Sequence, residues 1–214
     1  MRLRKVPGMD QRLLDEYPEL VYMDTGDMIT EDFLYRRFPG HNSVNLEIGM
    51  GKGDFIRSLA KSNPEEAFIG VEMHSEVLKP AAEKLYNAGI DNVAVLIERG
   101  EYLLNWLNPG EVSRIYLNFS DPWPKYHHRK RRLTHGNYLK LYRLLLKEKG
   151  ELQFRTDSRE LFEFSLKELS FDKWLLEEVS LDFHSSKFFD GNQTEYERKK
   201  SQQGPIYYLK AVAD

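Results

Sequence analysis

The chain has no cysteine among its 214 residues. That excludes disulfides, thiol nucleophiles and cysteine zinc sites, leaves histidines and carboxylates as the only potential metal ligands, and fits the reducing cytoplasm. No apolar run approaches the roughly 18 to 20 residues of a membrane span, so the protein is not expected to cross a membrane. Cations in Met1-Arg2-Leu3-Arg4-Lys5 have no apolar segment behind them, so a secretory signal is not expected. Strong net charge is missing as well: 31 Lys and Arg against 34 Asp and Glu give −3. A polyanionic partner must then be held by local basic patches rather than by the field of the whole molecule. Repeats and low-complexity segments are absent.

What is there describes a soluble globular chain with one core, 41% hydrophobic and 30% charged. Residues 1–43 mix charges with Pro7, Pro18 and Pro39, and predict an irregular N-terminal extension with one short helix from Met9 to Tyr17. Arg2, Arg4 and Lys5 in it are candidates for RNA contact. From Val44 strands and helices alternate to the end, giving a second region, 44–214. Strands are expected at Val44–Ile48, Ala67–Glu72, Asn92–Ile97, Ser113–Phe119 and Glu151–Thr156, then Trp174–Phe183 and Pro205–Val212. Helices are expected from Phe55, over Ser75–Tyr86, Glu101–Leu107, Tyr138–Lys147 (stopped by Gly150) and Leu161–Leu169. That rhythm predicts an α/β fold with a mainly parallel sheet and helices on both faces.

Between the first strand and helix lies Gly49-Met50-Gly51-Lys52-Gly53-Asp54. Glycines there let backbone approach a ligand at a helix N-terminus. A P-loop is excluded because Gly-x-x-x-x-Gly-Lys-Ser/Thr is absent, and the dinucleotide fingerprint wants Gly or Ala where Asp54 stands. Glycine at every second position, with Glu47 two residues before the first, instead resembles the S-adenosylmethionine loop of class I methyltransferases. Glu72 ends the second strand, 23 residues after Gly49. A carboxylate at that place can accept hydrogen bonds from both ribose hydroxyls, in adenosylmethionine as in NAD.

Asn118-Phe-Ser-Asp-Pro-Trp-Pro-Lys-Tyr-His-His-Arg-Lys-Arg-Arg132 joins two chemistries. Proline cannot continue the sheet, so Asp121 and Trp123 leave a strand at its carboxyl end, where open α/β sheets bind ligands. Trp123 either stacks on a base or anchors the loop. From Lys125 to Arg132 no residue is acidic, and Tyr126, His127 and His128 interleave with the cations, which suits stacking and phosphate contact. Asp157 also ends a strand, and either caps the following helix or contacts substrate. The stretch Gly191 to Glu197 reads as a long polar loop, a type that is often functional.

Taken together, these segments resemble the bacterial tRNA (guanine(46)-N7)-methyltransferase family over essentially the whole chain. The specific parts are Asn118 to Lys125, Lys130-Arg131-Arg132, Thr156-Asp157 and Thr194-Glu195-Tyr196-Glu197. The resemblance implies a Rossmann-like class I methyltransferase fold with an antiparallel C-terminal strand, and methyl transfer from S-adenosylmethionine to guanine N7 in the variable loop of tRNA. It implies Glu47, Gly49, Gly51, Glu72, Arg99, Gly100 and Asp121 at the cofactor, with Asp121 also catalytic. On the substrate side it implies Lys125, Asp157, Thr194, Glu195, Tyr196 and Glu197, with His127, His128, Arg129, Lys130, Arg131 and Arg132 on RNA. Arg99 departs from the family, which has an acid there, while acids are displaced to Glu98 and Glu101. Neither a metal nor a membrane is expected, and a homodimer stays open. Two other classes are in view. An NAD-dependent oxidoreductase shares the fold and Glu72 but lacks the fingerprint, and a noncatalytic RNA-binding module leaves the glycine turn and Glu72 unexplained.

Overall fold

The computed structural model describes residues 6–24, 33–41 and 43–213. Arg2, Arg4 and Lys5 lie outside them. The chain divides into two units, Met1–Asn108 and Pro109–Asp214.

In the first unit, helix α1 (Met9–Glu16) is followed by a two-residue strand β1 (Val21–Tyr22) and a short helix α2 (Phe33–Arg37). The stretch expected to be irregular thus carries two further elements, and β1 pairs in parallel with β4 (Val93–Ile97). Two residues are too few to show a period, which is why the pattern does not reveal β1. Next come β2 (Val44–Ile48), α3 (Asp54–Ser62), β3 (Ala67–Glu72) and α4 (Ser75–Asn87), followed after β4 by a 3₁₀ segment, Gly100–Asn105. Strand order is β1-β4-β3-β2, all parallel. β2 is buried along its whole length and β3 up to its last residue, as parallel strands covered on both faces must be. Gly70 in β3 has no room for a side chain, because an added Cβ would lie 2.2 Å from the Met50 sulfur. The buried Asn92 amide donates to the carbonyls of Ala60, Asn63 and Glu66, tying the end of α3 to the start of β4.

In the second unit, β5 (Val112–Asn118) precedes a 3₁₀ segment (Tyr126–Arg131), α5 (Gly136–Leu145), β6 (Leu146–Thr156) and α6 (Arg159–Phe171). Then follow β7 (Leu175–Ser180), a 3₁₀ turn (Phe183–Ser185), α7 (Glu195–Lys200) and β8 (Tyr207–Val212). Strand order is β5-β6-β8-β7. β5 and β6 are parallel, and β8 runs antiparallel to both its neighbours. Parallel pairing with one reversed C-terminal strand is the expected mixed α/β arrangement. One boundary differs: α5 stops at Leu145 and β6 begins at once, although apolar spacing continues the helix to Lys147. The register slips between Val112 and Arg114, and Lys149 takes a left-handed φ of 59°. Gly150 is therefore a packing residue inside a bulged strand rather than a helix stop; a Cβ on it would come 2.9 Å from Leu146.

Candidate active site residues

The glycine turn of the first unit is built from three left-handed residues, Gly49, Gly51 and Gly53, at φ 78°, 54° and 71°. A side chain there costs about 1 to 2 kcal/mol in backbone strain alone. The turn is pinned to β3, because the Gly49 and Met50 amides both donate to the Val71 carbonyl, at 2.8 and 3.1 Å. Lys84 braces it from α4, donating to Asp54 at 3.0 Å and to the Lys52 carbonyl at 3.4 Å. Nothing in the order of residues pointed to Lys84.

Glu72, at the end of β3, accepts from the Gly51 amide at 3.3 Å and the His74 amide at 3.1 Å. Burial raises its pKa, and those amide hydrogen bonds act in the opposite direction. Around Gly49 and Gly51 an added Cβ meets no atom within 4 Å, so the space beside the turn is open. A half-buried carboxylate with remaining acceptor capacity, next to open space and close backbone, fits a nucleoside with a ribose diol. Glu47 is buried at 2% exposure in β2. Register pairs Glu72 with Ile97, so Arg99 and Gly100 follow on the strand next to Glu72. Arg99 is exposed and ion-paired with Glu101 at 3.0 Å. The displaced Glu98 carboxylate is occupied by the Arg99 amide at 2.7 Å and the Trp106 indole N–H at 3.4 Å.

In the second unit, Asp121 is exposed on the loop after β5. Two non-glycine residues of that loop are left-handed, Phe119 at φ 52° and Trp123 at φ 40°. Trp123 is flanked by the Arg131 guanidinium, 4.9 Å from its ring centre, and meets His128 edge-on at 5.5 Å. Lys125 is exposed. What reads as a basic loop is a 3₁₀ segment with Tyr126, His127, Lys130 and Arg131 at the surface, and Arg129 lying 4.1 Å over the Tyr126 ring. Desolvation and the neighbouring His127, Arg131 and Lys125 lower the His128 pKa. Arg132 is different. Unlike its neighbours on the stretch expected at RNA, it is 5% exposed and bonded inside the unit, to the Trp123 carbonyl and Glu160.

Asp157 is not a helix cap. Ser158 caps α6, accepting from the Leu161 amide at 3.2 Å, while Asp157 accepts from the Tyr196 hydroxyl at 3.2 Å and pairs with Lys200 at 3.3 Å. The structure thus brings Asp157 together with the Thr194 to Glu197 stretch. That stretch is not a loop: Thr194 caps α7 by accepting from the Glu197 amide at 2.8 Å. The signal was present, since Thr-x-x-Glu is the sequence of a capping box. Glu195 pairs with Lys199 at 2.7 Å. Glu197 faces inward, fully buried, 3.6 Å from Arg155 and 2.9 Å from His184 Nε2, so it lies beneath the surface that Tyr196 occupies. Arg155, 1% exposed, also bonds Asp190 at 2.9 Å and the Asn192 carbonyl at 2.6 Å, and stacks 4.3 Å over Phe183. Sequence reasoning missed Arg155, although an arginine inside the apolar run Leu-Gln-Phe-Arg-Thr needs a buried partner. Among the described residues, no cluster of three or more His, Asp or Glu is placed to hold a metal ion, and no helix is long and apolar enough to cross a membrane.

A family model described as "Putative methyltransferase" matches residues 41–209. A tRNA (guanine-N(7)-)-methyltransferase of Listeria monocytogenes serotype 4b (strain F2365) is 43% identical, covering 100% of this chain and 99% of the relative. An enzyme of the same name from Streptococcus mutans serotype c is 38% identical, with 97% of each chain covered. Among solved structures, the 16S rRNA methyltransferase KamB shares the fold, with a TM-score of 0.66, 14% identity, and coverage of 87% of this chain and 94% of that one.

Proposed function

The chain belongs to the tRNA (guanine-N7)-methyltransferase family, and on that premise we propose how its residues divide the work. It transfers a methyl group from S-adenosylmethionine to N7 of a guanine in tRNA, and we place that guanine in the variable loop. Residues 44–214 are taken as the methyltransferase domain and 1–43 as its extension, acting in the cytoplasm. One observation carries the cofactor assignment: the Glu72 carboxylate is held by two backbone amides beside an open, left-handed glycine turn.

Glu72 binds the ribose hydroxyls, the Gly49 to Gly51 backbone lies along the ligand, and Arg99 and Gly100 border the adenine. Glu47 is assigned to the same pocket. When bound, S-adenosylmethionine supplies an electrophilic methyl group on a sulfonium. Guanine N7 carries an in-plane lone pair at neutral pH, so the protein needs no strong base. Its contribution is alignment and charge compensation. Asp121 compensates the positive charge that develops on the purine, accepting from guanine N1–H and the exocyclic amine or orienting the cofactor's amino group. Lys125, Asp157 and the Thr194 to Glu197 stretch position the substrate, with Glu197 acting from beneath through Arg155. Arg129, Lys130 and Arg131 hold phosphates, with His127 and His128 beside them on the RNA side. Incubation with labelled S-adenosylmethionine and unmodified tRNA, followed by identification of the methylated nucleotide, tests this reading. Label at a base other than a variable-loop guanine would overturn the placement, and no label on tRNA would overturn the function.

A further inference from the structure

Arg132 closes the basic stretch, yet its surroundings are unlike those of its neighbours. Tyr126 at the start of the 3₁₀ segment is 76% exposed and Arg132 only 5%. The Arg132 Nη2 donates to the Trp123 carbonyl at 3.2 Å and to Glu160 Oε1 at 2.9 Å, and the guanidinium carbon lies 4.5 Å over the Phe164 ring. Three pieces of chain meet on this side chain: the loop that carries Asp121, the end of the 3₁₀ segment, and the first turns of α6.

That loop needs holding. Phe119 and Trp123 bracket Asp121 and both are left-handed, which costs about 1 to 2 kcal/mol for each non-glycine residue. At Phe119 the hold is its amide bond to the Arg155 carbonyl, 2.9 Å. At Trp123 it is the carbonyl bond from Arg132. A planar guanidinium can fork to a carbonyl and a carboxylate while stacking on an aromatic ring, and a lysine ammonium cannot do all three. A guanidinium already buried and neutralised by Glu160 releases no counterion from RNA.

We propose that Arg132 is a positioning residue that ties the Trp123 turn to α6, thereby fixes Asp121, and takes no RNA phosphate. The inference rests on Asp121 being the group that acts on the guanine. Arg132→Met keeps the aliphatic stem and removes both polar contacts. Trp106 and Trp174 are 1% and 4% exposed, so acrylamide-quenchable emission reports mainly on the half-buried Trp123. In Arg132→Met, quenching of that emission should rise. Turnover at saturating tRNA should fall about tenfold to a hundredfold, since small misplacements cost that much. KM for tRNA should stay within about threefold, and the salt dependence of tRNA affinity should not change; a loss of folding stability alone would not produce that split. Should Arg132→Met not fold, Glu160→Gln should move quenching and turnover in the same directions by smaller factors. A salt slope flattened by about 0.7 to 0.9 with unchanged quenching would make Arg132 an RNA contact and overturn the proposal. Unchanged quenching together with unchanged turnover would overturn it as well. Asp121→Ala run alongside separates the two readings. Full turnover in that variant removes the role of Asp121, and the quenching comparison then decides on Arg132 alone.

Discussion

The Tyr196 hydroxyl donates to Asp157 at 3.2 Å, joining the first turn of α7 to the end of β6 across 39 residues of chain. Lys200 approaches the same Asp157 oxygen at 3.3 Å. The contact leaves its mark on both donors: desolvation and then Asp157 raise the Tyr196 pKa, and the bond to Asp157 raises that of Lys200. Tyr196→Phe should slow methyl transfer to tRNA by close to tenfold, as loss of a hydrogen bond to a charged group is worth about 1.5 kcal/mol. Asp157→Ala should slow it more, while calorimetry with S-adenosylmethionine shows nearly unchanged affinity in both. Equal losses of affinity and turnover would make the cluster structural.

That cluster also shows where the sequence stops being legible. Alternation placed β2, β3 and the α6 and β8 regions, because buried parallel strands and amphipathic helices write their period into the residue order. It also put Asp157 and Tyr196 among the polar residues worth attention. It could not say that Asp157 meets Tyr196 and Lys200, that Glu197 turns inward to Arg155, or that Arg132 leaves the basic surface. Each of those depends on which way one side chain points from a short or irregular element. A run of like residues does not distinguish the exposed Arg131 from the buried Arg132 beside it.

Gly51→Val should abolish S-adenosylmethionine binding without unfolding the protein. At φ 54° a β-branched residue is strained, but its Cβ meets no protein atom within 4 Å. The side chain would therefore fill the space beside Glu72 rather than the core. Calorimetry and a melting curve together check this, and a folded variant with full affinity would refute the placement of the ligand.

Glu72 gives a pH dependence with opposite signs for stability and for binding. Its folded-state pKa is raised above the ordinary 4.5 by burial. The proton is held more tightly in the folded state, so this contribution to stability is fully present below 4.5 and is lost as pH rises through the folded value. Binding runs the other way, since only the carboxylate accepts from both ribose hydroxyls. Affinity should rise as pH rises through that same window above 4.5, and Glu72→Gln should remove the dependence. An equally steep profile in Glu72→Gln would assign it elsewhere.

Replacing Arg129, Lys130 and Arg131 together with alanine should weaken tRNA binding and flatten the plot of log affinity against log salt. Each lost phosphate contact is worth roughly 0.7 to 0.9 in slope, so the triple variant can lose up to about 2.7. Turnover at saturating tRNA should fall less than affinity. Asp121→Ala should do the reverse. Filter binding across a salt series decides it, and a slope equal to that of the unaltered protein would remove the RNA reading of this surface.

Arg155 and Glu197 form a pair that should be costly to break and cheap to replace. Both are almost fully buried, 1% and 0% exposed, and Glu197 also meets His184 while Arg155 reaches Asp190. Arg155→Met leaves a buried carboxylate facing an apolar group and should cost about 3 to 5 kcal/mol in urea unfolding. Glu197→Gln leaves the arginine with Asp190 and the Asn192 carbonyl, and should cost less. In the double variant the uncompensated charge is gone, so stability should return most of the way, a coupling that additive losses would contradict. Activity should not return with it. Without the Arg155 anchor, α7 is no longer held from beneath by Glu197, and Tyr196 and Lys200 lose their fixed approach to Asp157. A double variant that recovers both stability and turnover would show that the pair only fills the core, and the support assigned to it under the substrate residues would be withdrawn.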